Sequence, residues 1–534
     1  MEQLPAEILI DIFTYLPHQS ALAARRVNRY VGDCAASAAF RHISIRDVSY
    51  TTRVIRIAKS PHLRPLVKEI TISRQSRSRD FYFSLALAHL VLFRNLNKIN
   101  IRFKDQPSWP MATSRGNNMY RQKPGYEDDV YFILAVVFKY LAGNWSPTWQ
   151  HDLQKNLKLH YIPDTLAAFQ SIPLAEIEQE PIHLRALTIF NVAENNDPRL
   201  VSSKEFKRVI ESKSIRELKM LVLSDQIRTS MDYHPSENTE TDFFEHLPRT
   251  WFRPSMAQHL QVLSLFAHDY WGWNPKMDFR TVNPGKDIKS GFPSLRVLAL
   301  GKYVFSHQWQ VDWIASLGSD NGRGGLRELY LDDCPIMWEA IVDGPLSEGD
   351  ITYTAPDGQE FHISNEKYPV YRYSEYPPRY KEYPYTFDLR WHHVLSQWSA
   401  SMPSLGVFKM GYGNWEHTTG AALGPRHRRQ VIQPNSLHGG AFLDYDCPSP
   451  NPSRPRNTLG LSVGLQQKPE QVLQYVAFSC QNRNKPWIGK DDRQYMLSKG
   501  LYFQYEQRRK LDSQALSELE QKVEQRKKSP HSGT

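Results

Sequence analysis

The chain has 534 residues, of which 40% are hydrophobic and 23% are charged. This composition is typical of a folded globular protein, and it excludes wholesale disorder, collagen-like repeats and coiled-coil fibres. With 66 Lys and Arg residues against 56 Asp and Glu residues, the formal net charge is a mildly basic +10.

Neither a membrane span nor a disulfide-stapled scaffold is expected. The longest clean apolar runs, such as 132–138, fall far short of the roughly 18 to 20 residues of a membrane span, and the N-terminus lacks the basic start of a secretory signal. The four cysteines lie far apart without a C-x-x-C pair, which predicts neither a zinc site nor a disulfide framework. We expect a soluble intracellular protein, cytoplasmic and/or nuclear, with no metal and no other cofactor.

The first forty residues predict three short amphipathic helices. Apolar residues recur at helical spacing over 4–16, with Pro5 in the first turn and Pro17 directly after the last one. A second apolar pattern covers 22–27, and a third covers 34–40 and runs into a strand-like segment. Helices this short cannot bury all of their apolar surface by themselves, so part of it is expected to contact another protein.

This region resembles the F-box, whose pattern opens Leu-Pro-x-Glu-Ile-Leu, continues Ile-Phe-x-x-Leu and ends near Phe-Arg-x-Ile. The corresponding residues here are Leu4-Pro5-Ala6-Glu7-Ile8-Leu9, Ile12-Phe13-Thr14-Tyr15-Leu16, Leu22, Val27-Asn28-Arg29-Tyr30 and Phe40-Arg41-His42-Ile43. Asn28 and Tyr30 depart from the family, which often has Cys and Trp at these positions.

The resemblance implies a helical plug over residues 1–45 that binds the Skp-type adaptor, and through it a cullin, in Skp–cullin–F-box ubiquitin ligases. The adaptor-binding residues that it implies are Leu4, Pro5, Ile8, Leu9, Ile12, Leu16, Leu22 and Val27.

Residues 46–420 predict an irregular repeat. The pattern apolar-x-x-apolar-x-apolar occurs eight times, at 67–72, 96–101, 184–189, 218–223, 260–265, 295–300, 326–331 and 405–410, and Leu157-x-Leu159 suggests a degenerate copy. Helix-like runs lie between these hexads, and such an alternation of strand and helix is typical of a solenoid. It resembles the leucine-rich repeat, and an F-box followed by such repeats resembles F-box substrate receptors, here with Tyr- and Trp-rich insertions similar to those of filamentous fungi.

The predicted fold class is therefore α/β, with a three-helix F-box followed by an irregular leucine-rich-repeat-like horseshoe. Insertions are predicted near 104–180 and 343–385, and a Pro-rich, disordered insertion is predicted over 421–458. The rest of the chain, 459–534, predicts a strand and a terminal capping helix.

The concave face of such a horseshoe is lined by the residues between the strand leucines. On four central strands these residues are mostly Ala, Phe, Met, Val and Gly, which leaves an apolar strip that is either a partner-binding groove or a shelf covered by the chain's own insertions. A loop with three aromatic residues follows one of these strands. The substrate-binding residues predicted from the strip and the loop are Phe190, Met220, Val222, Val262, Phe266, Tyr270, Trp271, Trp273 and Tyr330.

The candidate cover for the strip is the Tyr- and Pro-rich segment 343–385, because extended segments of this kind can lie in apolar grooves. A loosely ordered surface loop is the alternative.

Other function classes are disfavoured. The chain has no phosphate-binding loop, dinucleotide fingerprint, nucleophile elbow or H-E-x-x-H motif, so it is expected not to be an enzyme. His392 and His393 are adjacent on a predicted helix and point about 100° apart, which is unsuited to joint metal ligation. The basic clusters are short and scattered, which favours solvated surface over nucleic-acid binding, and no membrane contact is expected.

The sequence thus predicts a substrate receptor of a Skp–cullin–F-box ligase, whose solenoid binds an unknown protein. The alternative is a protein-interaction scaffold, adaptor-bound or free-standing, with no role in ubiquitination.

Overall fold

The computed structural model describes residues 4–16, 18–46, 48–74, 81–103, 126–145, 180–193, 196–223, 239–282, 291–318, 325–342, 344–354, 358–369, 383–411, 415–419, 430–434, 472–480, 487–488 and 502–528. The predicted repeat copy at Leu157 and Leu159 lies outside these residues. So do most of the insertion at 104–180 and all of 421–458 except 430–434.

The helices alternate with the strands along most of the chain. They are α1 Ala6–Thr14, α2 His18–Ala24, α3 Arg29–Phe40, α4 Val48–Lys59, α5 Phe81–Ala88, α6 Tyr126–Leu141, α7 Pro198–Val201, α8 Lys204–Ile210, α9 Thr239–His246, α10 Pro254–Ala257, α11 Gln308–Gly318, α12 Trp391–Ser401 and α13 Tyr502–Lys528. Short 3-10 turns lie at Arg64–Leu66, His89–Leu92 and Phe279–Thr281.

The strands form one large parallel sheet and several small ones. They are β1 His42–Ile45, β2 Glu69–Arg74, β3 Lys98–Phe103, β4 Ala186–Ala193, β5 Glu217–Leu223, β6 Val262–Trp271, β7 Val297–Tyr303, β8 Glu328–Asp332, β9 Ile336–Val342, β10 Asp350–Thr354, β11 Glu360–Ser364, β12 Tyr383–Thr386, β13 Val407–Gly411, β14 Trp415–Thr419, β15 Gln430–Pro434, β16 Tyr475–Ser479 and β17 Trp487–Ile488.

Nine parallel strands form the main sheet in the order β1 to β8 followed by β13. Each of the eight apolar hexads found in the sequence lies at one of these strands. The pairing aligns Ile70, Ile99 and Leu187 with Leu218 and Leu263 in one row. These side chains and the apolar faces of the helices between the strands form one continuous core, as the alternation of apolar and intervening residues predicts.

The frame predicted for the fourth hexad is wrong. Strand β5 pairs Met220 with Ile189 of β4 and with Leu265 of β6, both of which point into the core. The repeat unit on β5 is therefore 215–220, not 218–223. Met220 and Val222 belong to the core, and Leu221 takes the place on the opposite face that had been assigned to them.

A second, four-stranded sheet lies beside the main one, in the order β12, β9, β16, β17. Strand β9 follows β8 after only three residues and pairs in parallel with β16 from near the C-terminus. Its core includes Trp273, Met337, Tyr368 and Phe478. Residues from the 343–385 segment and from 472–480 thereby join the loop that follows β6.

The long helix α13 packs on α12 and on the last parallel strand β13. Its Asp512 carboxylate accepts hydrogen bonds from the His392 backbone N–H at 2.9 Å and from the Tyr475 hydroxyl at 2.7 Å. Farther along, Arg526 donates to the carbonyls of Ser399 and Met402 at the end of α12. The helix thus contacts both ends of α12.

In the part of the chain that the structure describes, no helix combines the length and apolarity needed to cross a bilayer.

Candidate functional site: the apolar surface of the N-terminal helices

The N-terminal three-helix unit, α1 to α3, is held together by a few local interactions. Helix α1 begins directly after Pro5, and the Asn28 side chain caps α3 by accepting a hydrogen bond from the Val31 N–H at 2.8 Å. The Tyr30 hydroxyl donates to the Leu4 carbonyl at 2.8 Å and so ties the start of α1 to α3. Asn28 and Tyr30, the two departures from the F-box pattern, therefore both serve the packing of this unit.

Glycine is needed at position 32 because the α2 turn approaches α3 closely. A Cβ atom there would lie 2.9 Å from the Arg25 carbonyl oxygen. The Arg25 guanidinium lies 4.5 Å from the centre of the Phe40 ring, a second link between the end of α2 and the end of α3.

The unit has a small core of its own. Leu9 and Phe13 from α1 pack against Val31, Cys34 and Ala35 from α3. Leu9 is only 1% exposed, so its predicted role as an adaptor-binding residue is corrected: Leu9 faces α3 and supports the surface from beneath.

The other residues predicted to bind the adaptor lie on the outside of the unit. Ile8 is 49% exposed, Ile12 is 45% exposed and Val27 is 65% exposed. The remaining exposed members are Leu4, Pro5, Leu16 and Leu22. Seven of the eight predicted residues are therefore exposed in the part of the chain that the structure describes.

The structure adds three exposed apolar residues that were not among the predicted adaptor-binding residues. Ile10, Tyr15 and Tyr30 are exposed on the same unit, with Tyr15 at 84%. Of the thirteen exposed large apolar side chains among the described residues, nine lie between Leu4 and Tyr30. An apolar concentration of this kind marks an interaction surface, because single exposed apolar residues are ordinary but clusters are costly.

The three-helix unit is joined to the main sheet without a linker. Helix α3 ends at Phe40, and β1 begins two residues later at His42. The backbone N–H groups of Lys68 and Glu69 both donate to the Arg41 carbonyl, at 2.8 and 2.9 Å. The N-terminal helices therefore lead directly into the first strand pair of the parallel sheet.

The predicted substrate strip is placed mostly inside the protein. Phe190 and Phe266 lie in one row on either side of Leu221, and all three are less than 5% exposed. Gly301 is the next member of this row, and the Phe266 ring lies over it where a side chain would stand. As the chain is folded here, these residues offer no open apolar groove.

The residues at the edges of the strip differ in how far they are enclosed. Val262 and Tyr270 are half-buried. Tyr330 is buried and donates a hydrogen bond to Glu328 Oε2 at 2.8 Å. Burial and the Glu328 carboxylate raise the pKa of Tyr330, so that it stays a protonated donor.

Two of the three aromatic residues that were predicted to form a recognition loop, Tyr270 and Trp271, are the last residues of strand β6, and only Trp273 follows the strand. Trp271 and Trp273 are fully buried, and their indole N–H groups donate to the Gly301 and Lys367 carbonyls at 2.7 and 2.9 Å. Trp271 stacks on Phe244, with ring centres 4.7 Å apart. These rings join the main sheet to the second sheet, which is a structural role.

The segment proposed as a cover, 343–385, contacts other regions in its described part. The Tyr353 ring lies 5.0 Å from the Arg249 guanidinium, and Tyr368 stacks on His307 at 4.4 Å. The tyrosines at 371, 373, 376 and 380 lie outside the described residues. Coverage of the strip by this segment stays a prediction.

No described group of three or more His, Cys, Asp and Glu side chains is arranged to hold a metal ion. His392 points its Nδ1 to Asp512 Oδ1 at 2.7 Å, so one of its nitrogens is used in holding α13.

Comparison with known families supports the N-terminal assignment. Residues 1–46 match the family described as F-box-like. Comparison of the chain with curated proteins gives no match. The predicted F-box is thereby confirmed, and F-box domains generally bind Skp-type adaptors. The match covers 46 of the 534 residues.

Proposed function

We propose that this chain is the substrate-recognition subunit of a Skp–cullin–F-box ubiquitin ligase, with the N-terminal helices binding the Skp-type adaptor. One observation carries the proposal: the described chain concentrates its exposed apolar side chains on the F-box-like helices. Burying this surface against an adaptor would remove the penalty of exposing it to water.

The parallel sheet would then select the target. Its strand and helix alternation supports a leucine-rich-repeat-like solenoid of the kind found in F-box receptors, including those of filamentous fungi. The chain would perform no chemistry itself. It would hold a target near the transferring enzyme, which raises the effective concentration of the reacting groups.

The test is recovery of the assembly from cells that express the tagged chain. We expect the wild type to recover the Skp-type adaptor, a cullin and ubiquitin-conjugated proteins, and Ile8→Asp with Ile12→Asp to recover none of them. Both residues are exposed, so the folded chain should tolerate the change. A background with an inactive ligase separates the receptor from the scaffold. For a receptor, inactivating the ligase should remove the ubiquitin-conjugated proteins and leave the adaptor bound. For the scaffold alternative, the adaptor binds and no ubiquitin-conjugated proteins are recovered even when the ligase is active.

A further inference from the structure

The amino ends of the nine parallel strands form a regular row of residues. At each step, two successive N–H groups at the start of one strand donate to the carbonyl of the residue that precedes the neighbouring strand. Arg327 and Glu328, for example, donate to the Arg296 carbonyl at 2.8 and 3.0 Å, and Arg216 and Glu217 donate to the Arg185 carbonyl at 2.8 and 3.1 Å. The residues that precede the strands therefore follow one another at the strand spacing of about 4.8 Å.

Six of these nine positions carry a basic residue and none carries an acidic one. The six, which we call the basic row, are Arg41, Lys68, Arg185, Arg216, Arg296 and Arg327. The other three positions are Asn97, Gln261 and Gly406. In the sequence these residues are far apart and look scattered, and only the parallel pairing brings them to one edge of the sheet.

The basic row is open to solvent. Arg41, Arg185, Arg296 and Arg327 are exposed, and Lys68 and Arg216 are half-buried. Arg185 makes a long contact to Glu217, 4.0 Å from Nε to Oε1, with 67% of its side chain exposed. Five of the six are arginine, whose planar guanidinium binds carboxylates and phosphates through two parallel hydrogen bonds.

The next residue on each strand gives the row an apolar and partly acidic border. Val262 and Val297 lie there between Glu217 and Glu328, and Val407 lies beyond Glu328 on the last strand; all three valines are half-buried. Glu69 is a third acidic residue of this border, and the Lys98 ammonium lies 3.3 Å from its Oε1. The glutamates disfavour a partner with uniformly dense negative charge such as a nucleic-acid backbone, since like charges this close repel. The valines offer apolar contacts to side chains that alternate with the charges of an extended segment.

We propose that the basic row, together with the valines beside it, is a docking surface for an extended acidic segment of a protein. Eight strand intervals span about 38 Å, which a dozen or so extended residues would cover. The inference names the class of target for the proposed receptor, and its biological use rests on that function. The contact itself is independent of the adaptor.

The test measures binding of a defined probe to the full chain by fluorescence anisotropy. The probe is a fluorescein-labelled 16-residue peptide that repeats Glu-Val-Asp-Ser, and the matched peptide repeats Lys-Val-Lys-Ser. In low salt we expect saturable binding of the acidic peptide alone, weakened at least about tenfold by Arg185→Glu, Arg296→Glu and Arg327→Glu together. Salt at about 0.5 M should abolish it, because exposed charges are then screened.

A control with the same change in net charge is Lys510→Glu, Lys522→Glu and Lys528→Glu, all at exposed positions of α13. This control should bind the acidic peptide within about twofold of the wild type. If the charge reversals in the basic row disturb folding, as judged by circular dichroism, the same three positions are changed to Gln.

Three results would overturn the proposal: no binding of the acidic peptide by the wild type, equal loss in the control, or tighter binding of a 16-nucleotide single-stranded DNA at the same residues. The variant Ile8→Asp with Ile12→Asp should keep the peptide while losing the adaptor. Failure of the docking surface is therefore distinguishable from failure of the proposed function.

Discussion

The N-terminal helices and the parallel sheet differ in how much of their apolar surface is buried. The sheet buries its aligned Ile and Leu rows almost completely, and even the apolar strip on its other face is enclosed. The three helices bury only a handful of residues and leave most of their apolar side chains in water. The sheet therefore buries its apolar residues within the chain, whereas the helices carry the exposed apolar surface to which we propose that the adaptor binds.

The comparison is sharpest within a single turn of α1, where Ile8 and Leu9 are neighbours. Leu9→Ala should destabilise the helical unit by about 3 kcal/mol, because a buried leucine is replaced by a cavity. Ile8→Ala should change its stability by less than about 0.5 kcal/mol, because that side chain is exposed. Hydrogen exchange of the α1 and α3 amides measures both changes in stability. Equal effects of the two substitutions would show that Leu9 and Ile8 do not differ as core and surface residues.

On the sheet, the corresponding test is Gly301→Ala. The new methyl group would overlap the Phe266 ring on the neighbouring strand, so we expect a loss of about 1 to 3 kcal/mol from overpacking. Adding Phe266→Ala should remove much of that cost, so the two effects are not additive. Denaturant unfolding of the four proteins of this cycle measures the coupling, and strictly additive effects would contradict the alignment of β6 and β7.

The junction between the two sheets should respond to pH. Burial lowers the pKa of His307 to about 4, a hydrogen bond to the Glu366 carbonyl opposes the shift, and nearby Arg280 adds to it. In the unfolded chain the imidazole takes up a proton near pH 6.5, whereas in the folded chain it does so only near pH 4. The free energy of unfolding is therefore retained above pH 6.5 and falls as the pH is lowered from 6.5 to 4.

The expected loss from this histidine is about 2 kcal/mol between pH 7.5 and pH 5. Denaturant midpoints of the wild type and of His307→Gln at both pH values isolate the contribution. The same pH dependence in both proteins would show that His307 does not titrate as its surroundings require.

The local sequence pattern was sufficient to locate a helix or strand where only one assignment fits the spacing of its apolar residues. The Leu-Pro-x-Glu opening and the eight hexads located the N-terminal helices and eight parallel strands. Pattern failed where two assignments satisfy the same spacing. Leu9 and Ile8 lie on one apolar arc, and only the packing of α3 decides which of them is core. On β5, 215–220 and 218–223 both fit the hexad, and only pairing with β4 and β6 selects the first.

Long-range pairing accounts for the remaining misses. The second sheet joins β9 to β16, which lie far apart in the chain, and this pairing buries Trp273, whose aromatic loop looked like a recognition element. The basic row was missed for the same reason. Its members belong to separate repeats, and no local window contains two of them.

The most direct test of adaptor binding by the N-terminal helices is a titration of the purified chain with a Skp-type adaptor. We expect saturable binding by the wild type and at least about a hundredfold weaker binding by Ile8→Asp with Ile12→Asp, because two unpaired carboxylates would have to be buried in an apolar interface. Circular dichroism should show that both proteins are folded. Equal affinity of the two proteins, or no binding by the wild type, would show that this apolar surface is not an adaptor-binding site.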